Sequence, residues 1–237
     1  MRALDIAKHK THLINILTEI FKDNLLSKRL AFKGGTAAML FYKLPRFSID
    51  LDFDLIGSAE GLYERMTDLL GKNYIILDSN DKFYTLFWKV SYGTGLANIK
   101  VEISTRDNIK NHYDLILFYG VGLKVMSAPD MVAHKLIATV DRKITANRDL
   151  FDAHYFLGSP FGVEINYEII KDRAGKTPRE FYESLLAMVE KIENKNILDG
   201  LGELLTEAQK DWARAKLKEE LIGLIQRNID LMQNGKI

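Results

Sequence analysis

The feature that most constrains this chain is the run SIDLDFDL at residues 48–55, in which acidic and apolar side chains alternate. Successive side chains of a β-strand point to opposite faces, so Asp50, Asp52 and Asp54 share one face and the apolar residues share the other. Asp50 and Asp52 would lie about 6.5–7 Å apart at Cα, within joint reach of one or two divalent cations. The run therefore predicts a strand with a buried face and a metal-binding acidic face. A solvated acidic sheet face is the alternative interpretation.

A glycine pair precedes this strand and leads into a short helical segment. Gly34 and Gly35 are followed by TAAMLFYK, which reads as a helix with Thr36 as its N-cap. Glycine allows close approach of the backbone to a phosphate, and a helix start attracts anions through its N–H groups and dipole. Together with Lys33, these residues are predicted to hold the triphosphate of a nucleotide. A plain turn is the alternative for the glycine pair, and Arg46 is either a phosphate-steering cation or an ordinary loop charge.

A second alternating run, NIKVEIST, places Glu102 on the polar side of another predicted strand. If this strand pairs beside the first, Glu102 becomes a third carboxylate next to Asp50 and Asp52. Three carboxylates on adjacent strands form the ligand set of a two-metal phosphoryl-transfer site. We therefore expect Asp50, Asp52 and Glu102 to bind Mg²⁺, with Mn²⁺ as an alternative ion, and an NTP to be the substrate.

The order of predicted elements indicates an α+β fold with two domains. Strands and helices mix over residues 1–126 in a predicted α/β domain, and residues 127–237 read as a mostly helical domain packed against it. Hydrophobic residues make up 47% of the chain, which is enough for a core and argues against disorder. No apolar run is long enough for a membrane span, and the absence of cysteine excludes disulfides and thiolate catalysis. We expect a cytoplasmic protein with no membrane partner.

Two helical segments of the second half carry further candidate residues. Lys135, Ala138 and Arg142 follow one another at i, i+3 and i+7, along one helical stripe that could hold a triphosphate or an RNA backbone. Asp149 and Asp152 are three residues apart on the next predicted helix. The alternatives are a solvated basic face for the first group and surface ion pairing for the second.

In sequence order, the segments FKGGTAAMLFY with RFSIDLDF, then IKVEI, HKLIATVDR and NRDLFDAHYFL resemble the four motifs of the AbiEii/AbiGii toxin nucleotidyltransferases, within the polymerase-beta-like superfamily. The resemblance implies transfer of NMP from an NTP to an acceptor such as the tRNA 3′ end. It also implies a toxin opposed by an antitoxin encoded next to it. By position, the resemblance assigns the triphosphate to the glycine turn and the metal to the acidic strand. It gives functional roles in the helical half to Lys135, Arg142 and Asp149, with Asp152 as the alternative acid.

Two other functions are compatible with the same residues. One is a nucleotidyltransferase with a small-molecule or protein acceptor. The other is a catalytically silent module that binds nucleotide and uses its helical half for protein interactions.

Overall fold

The computed structural model describes residues 4–106, 110–141 and 146–233. The chain divides into two compact units, Met1–Ser127 and Ala128–Ile237. A mixed seven-stranded sheet lies in the first unit, and the described part of the second unit is helical, so the predicted α+β class is confirmed. Within the described ranges, no helix has the length and apolar character that a membrane crossing requires.

The first unit contains both helices and strands. Its described helices are α1 (Ile6–Lys22), α2 (Leu26–Arg29), α3 (Gly34–Phe41) and α4 (Leu62–Gly71). Its described strands are β1 (Leu30–Lys33), β2 (Leu51–Leu55), β3 (Ile75–Lys82), β4 (Thr85–Ser91), β5 (Ile99–Ser104), β6 (Tyr113–Phe118) and β7 (Val121–Met126).

The strands form one sheet in the order β3-β4-β5-β2-β1-β7-β6. Pairing is antiparallel except between β2 and β5 and between β1 and β7, which are parallel. The sheet therefore brings β2 to a central position, with β1 on one side and β5 on the other. The predicted condition that the second alternating strand lies beside the first is met.

One face of the sheet is apolar and is covered by helices of the same unit. The ring of Phe21 on α1 meets that of Phe53 on β2, and Tyr63 on α4 stacks on Trp88 of β4. Phe32, Phe53 and Trp88 are completely buried. Because strand residues alternate, this burial turns the polar residues of β1, β2 and β5 to the opposite face.

The strands predicted around Asp52 and around Glu102 are confirmed as β2 and β5, β4 pairs antiparallel with β5, and β6 pairs antiparallel with β7. Strand β3 was not predicted, because its sequence IILDSNDK has little alternation and pairs by backbone hydrogen bonds with β4. The prediction that Thr36 caps a helix was wrong. Helix α3 begins at Gly34, has Lys33 at its N-cap position, and carries no side-chain cap.

The second unit is built from α5 (Ala128–Asp141), α6 (Asn147–Gly158), α7 (Tyr167–Ala174), α8 (Pro178–Glu190) and α9 (Glu207–Gln233). A capping box starts α8: Thr177 and Glu180 satisfy each other's backbone N–H groups. Helix α9 packs on α6 and α8, and α5 packs on α6 and α7. The apolar stripe Leu217, Leu221 and Ile225 of α9 is completely buried.

Candidate active site

The turn between β1 and α3 is closely packed at both of its glycines. Gly34 has φ +83°, and a Cβ there would lie 2.1 Å from Oδ2 of Asp52. A Cβ on Gly35 would lie 2.7 Å from Oγ of Ser48. The space next to the turn is thus already occupied by side chains from the segment that leads into β2 and from β2 itself. The carboxylate of Asp52 packs directly against the glycine turn.

Asp52 also has a carboxylate neighbour across the sheet. It pairs in register with Glu102 on the parallel strand β5, and with Lys33 on the antiparallel strand β1. Residues in register on paired strands project from the same face, with Cα atoms about 5 Å apart. The sheet therefore presents Lys33, Asp52 and Glu102 side by side across three strands. Asp52 and Glu102 are both half-buried.

Asp50 is held by backbone contacts on two sides. Its carbonyl accepts a 2.5 Å hydrogen bond from the Thr36 hydroxyl, which explains why that hydroxyl does not cap α3. Its Oδ1 accepts a 3.2 Å hydrogen bond from the Lys100 backbone N–H, and Lys100 Nζ lies 3.8 Å from Oδ2. Thr36 thus links the first turn of α3 to the acidic strand.

The third aspartate of the alternating run has a different environment. Asp54 is 2% exposed and forms an ion pair with Lys33, whose Nζ lies 2.5 Å from Oδ1. Its Oδ2 accepts hydrogen bonds from Asn111 Nδ2 at 3.0 Å and Tyr113 OH at 2.9 Å. These donors occupy both carboxylate oxygens, so Asp54 holds Lys33 in place beside Asp52.

The donor chemistry suits a hard divalent cation, although not as a ready-made three-residue cage. Among residues 4–106, 110–141 and 146–233, no three Asp, Glu or His side chains are arranged to hold one ion as they stand. Mg²⁺ commonly uses one or two carboxylates and completes its shell with water and substrate phosphates. The half-buried Asp52 and Glu102 fit that requirement, and Asp50 could join them if it released Lys100.

In the helical unit, the structure pairs the predicted residues differently from the sequence interpretation. Lys135 Nζ lies 2.7 Å from Oδ2 of Asp152, whose side chain is fully buried. Asp152 thus makes a buried ion pair rather than the surface pair that was the alternative, and Arg148 Nε lies 4.0 Å from Oδ1 of Asp149. Asp149 is 4% exposed. Arg142 lies outside the described residues.

With this geometry in place, sequence comparison identifies the family. The profile of the family described as "Nucleotidyl transferase AbiEii toxin, Type IV TA system" matches residues 15–221. The chain belongs to this family. It is therefore a member of a nucleotidyltransferase toxin family, a class of enzymes that generally uses an NTP and a divalent metal. No protein of curated function matches the sequence.

Two solved structures from Helicobacter pylori have a similar fold. One, described as a candidate nucleotidyltransferase, is 20% identical, covers 98% of this chain and 97% of its own, and superposes with a TM-score of 0.65. The other, JHP933, is 18% identical, covers 98% and 97%, and gives a TM-score of 0.61. At these identities the similarity establishes the fold.

Two residues near the AbiEii glycine turn gain significance only from the structure. Ser48 is buried against Gly35, and sequence analysis overlooked it although it continues the alternation of Asp50 and Asp52 by two residues. Arg46 is 5% exposed, and its Nη2 lies 3.4 Å from the Cβ position of Gly35. Arg46 Nη1 donates a 3.1 Å hydrogen bond to the carbonyl of Phe47, so this guanidinium is buried and hydrogen-bonded beside the start of α3 rather than an exposed loop charge.

Proposed function

We propose that this AbiEii-family chain is a Mg²⁺-dependent enzyme that transfers NMP from an NTP to the 3′ end of tRNA. In the reaction, an acceptor hydroxyl oxygen bonds to the α-phosphorus while the bond to the bridging α,β oxygen breaks. Pyrophosphate leaves with the electron pair of that bond, and the hydroxyl proton passes to a carboxylate or to water. Mn²⁺ is the alternative ion.

The observation that carries the proposal is the contact between the glycine turn and the acidic strand. Asp52 packs against Gly34, and Glu102 is its in-register neighbour on β5. A triphosphate bound at the start of α3 would therefore lie next to two carboxylates. Phosphate and carboxylate oxygens together are the ligands that Mg²⁺ prefers.

Each residue of the first unit then has a defined task. Gly34, Gly35 and Thr36 bring backbone N–H groups to the β- and γ-phosphates, because the first turn of a helix offers N–H groups that have no partner within the helix. Asp50, Asp52 and Glu102 are the proposed metal ligands, and a bound divalent ion would supply charge neutralisation at the attacking and leaving oxygens. Lys33 supplies positive charge from its ion pair with the buried acid of β2.

For the helical unit the proposal rests on the motif order of the sequence. Lys135 is proposed to neutralise charge that develops on the phosphates, and Arg142 to bind the nucleotide. Asp149 is proposed as a catalytic acid or base. The buried ion pair between Lys135 and Asp152 supports a positioning role for Asp152, because a fully buried carboxylate fixes where its lysine partner can lie.

The biological setting follows from the family. The AbiEii profile describes the toxin of a type IV toxin–antitoxin system, so we propose that an antitoxin encoded next to this chain opposes it. We propose that it acts in the cytoplasm, since tRNA and NTPs are found there. Modification of the tRNA 3′ end would stop translation by preventing aminoacylation.

The test uses purified protein, total tRNA and the four NTPs, each labelled on the α-phosphate and supplied singly. We expect label on tRNA from at least one NTP, loss of labelling with EDTA, and recovery with excess Mg²⁺. Asp52→Asn should abolish labelling while leaving the thermal unfolding midpoint within a few degrees of wild type. The matched control is Asp114→Asn, which removes one exposed carboxylate from β6 of the same sheet and should label normally.

Other outcomes select the other functions. In one such outcome, pyrophosphate is released while the label appears on a small molecule or a protein and not on tRNA. That result would indicate the alternative acceptor. Binding of NTP and Mg²⁺ in calorimetry, with no pyrophosphate released on any acceptor, would indicate a silent binding module. Normal labelling by Asp52→Asn would contradict the assigned site.

A further inference from the structure

Helix α1 buries a histidine whose two ring nitrogens both have partners from distant parts of the chain. His9 is completely buried, with Nδ1 2.8 Å from the hydroxyl of Tyr92 and Nε2 2.9 Å from the carbonyl oxygen of Ile49. The rings of Phe47 and Tyr92 meet the imidazole edge-on. His9 lies four residues before Leu13, on the apolar stripe of α1, where an aliphatic residue would be the default.

The partners determine the tautomer of the ring. A carbonyl oxygen can only accept, so Nε2 carries the hydrogen and donates it to Ile49. Nδ1 is then the acceptor for the Tyr92 hydroxyl. Burial lowers the pKa of His9, which favours this neutral form, while the bond to Ile49 acts in the opposite direction. A single relay thus runs from Tyr92 through His9 to the backbone of Ile49.

The position of that carbonyl matters because it directly precedes the acidic strand. Strand β2 begins at Leu51, so Ile49 and Asp50 come before the sheet ladder. Two side-chain donors hold consecutive carbonyls there: His9 binds that of Ile49, and Thr36 binds that of Asp50 at 2.5 Å. The Asp50 carboxylate then accepts the Lys100 N–H on the neighbouring strand.

We propose that His9 is a positioning residue for the acidic site, fixing the Asp50 backbone through the Ile49 carbonyl. This proposal rests on the proposed function for its catalytic consequence. Its structural part, that the relay holds the Asp50 segment in place, stands independently. A displacement of about 1 Å in a reacting group can cost about 100-fold in rate. A hydrogen bond from His9 that fixes the backbone next to the proposed metal ligand Asp50 can therefore matter for catalysis.

Three variants distinguish positioning from simple core packing. His9→Phe keeps an aromatic ring of similar size but has no donor for Ile49. His9→Gln supplies an amide N–H for Ile49 and an amide oxygen for Tyr92, so it can restore both contacts. The control is His12→Phe, one turn later on α1, where the ring stacks on Tyr92 with centroids 4.4 Å apart but makes no described contact with the acidic strand.

The first readout does not need activity. Amide hydrogen exchange, measured by mass spectrometry or NMR on the whole chain, should become at least tenfold faster at Lys100 and Leu51 in His9→Phe. It should stay near wild type in His9→Gln and His12→Phe. Uniformly faster exchange across α1 and the sheet in His9→Phe, or equal changes in His12→Phe, would overturn the proposal.

The second readout is kinetic and applies once transfer has been measured in the wild type. We expect kcat to fall by about 10- to 100-fold in His9→Phe, with a higher Mg²⁺ concentration for half-maximal rate and an unchanged KM for the acceptor. His9→Gln should recover most of kcat. Wild-type kcat and Mg²⁺ dependence in His9→Phe, or equal loss in both His9 variants, would overturn the positioning role. A wild-type protein without transfer would refute the proposed function and leave the exchange test to decide the relay.

Discussion

The contact between Gly34 and Asp52 allows a sharp test of the candidate site. Replacing Gly34 by alanine adds one methyl group at a position where Asp52 Oδ2 would be 2.1 Å away and its Cβ and Cγ 2.8 Å away. Real Cβ atoms essentially never approach another heavy atom within 3.0 Å. The Asp52 carboxylate must therefore retreat, or the turn must open.

The structure sets the size of the effect. A retreat of about 1 Å moves a proposed metal ligand far enough to cost about 100-fold in transfer rate. The backbone contributes separately, because alanine at φ +83° costs about 1–2 kcal/mol relative to glycine. We thus expect Gly34→Ala to lose at least 100-fold in kcat while losing only about 1–3 kcal/mol in the free energy of unfolding.

Label transfer from NTP and urea unfolding, run on the same preparations, separate the two effects. The matched control is Gly120→Ala, in the turn between β6 and β7, where φ is +76° and an added Cβ meets no atom within 4 Å. Gly120→Ala has a similar backbone strain but no collision with a neighbouring side chain, so it should transfer nucleotide at the wild-type rate. Gly34→Ala with activity equal to that of Gly120→Ala would refute the reasoning that Asp52 must lie against an unsubstituted turn.

Three further predictions concern charge inside the two units. Asp54→Asn removes the buried carboxylate that pairs with Lys33 and should lower the free energy of unfolding by about 3 kcal/mol, measured by urea denaturation. Asp152→Asn should do the same in the helical unit, and equal stability of Asp152→Asn and wild type would contradict the buried ion pair. Burial lowers the pKa of His154, so the folded chain binds fewer protons there than the unfolded chain. The urea concentration at the unfolding midpoint should therefore decrease as the pH is lowered from about 7 to 5, and it should decrease less in His154→Gln.

Local sequence pattern was sufficient to predict the strands that build the site. The alternation around Asp52 and around Glu102 predicts both strands and the faces they bury, because strand periodicity is a property of the backbone. The glycine pair likewise predicts a turn. Strand β3 was not predicted because its residues are mostly polar and exposed, and its strand conformation comes from pairing with β4.

The roles of the three aspartates illustrate what local pattern leaves undecided. In the sequence Asp50, Asp52 and Asp54 are equivalent members of one alternation. In the structure, Asp54 is bound by Lys33 and by Tyr113, which is 59 residues away, whereas Asp52 faces the glycine turn. The same holds in the helical unit, where Lys135 pairs with Asp152 and the Arg148 side chain lies near Asp149.

Strand alternation, glycine turns and motif order are local features, so the α+β class, the family and the candidate residues could be predicted from short stretches of the chain. Which donor meets which acceptor became visible only in the folded chain: His9 with the carbonyl of Ile49, 40 residues away, and Glu102 beside Asp52 through parallel pairing. Such contacts join residues that are distant in the sequence. They depend on how all the elements of the unit pack around a common core, and a short stretch of sequence does not contain that information.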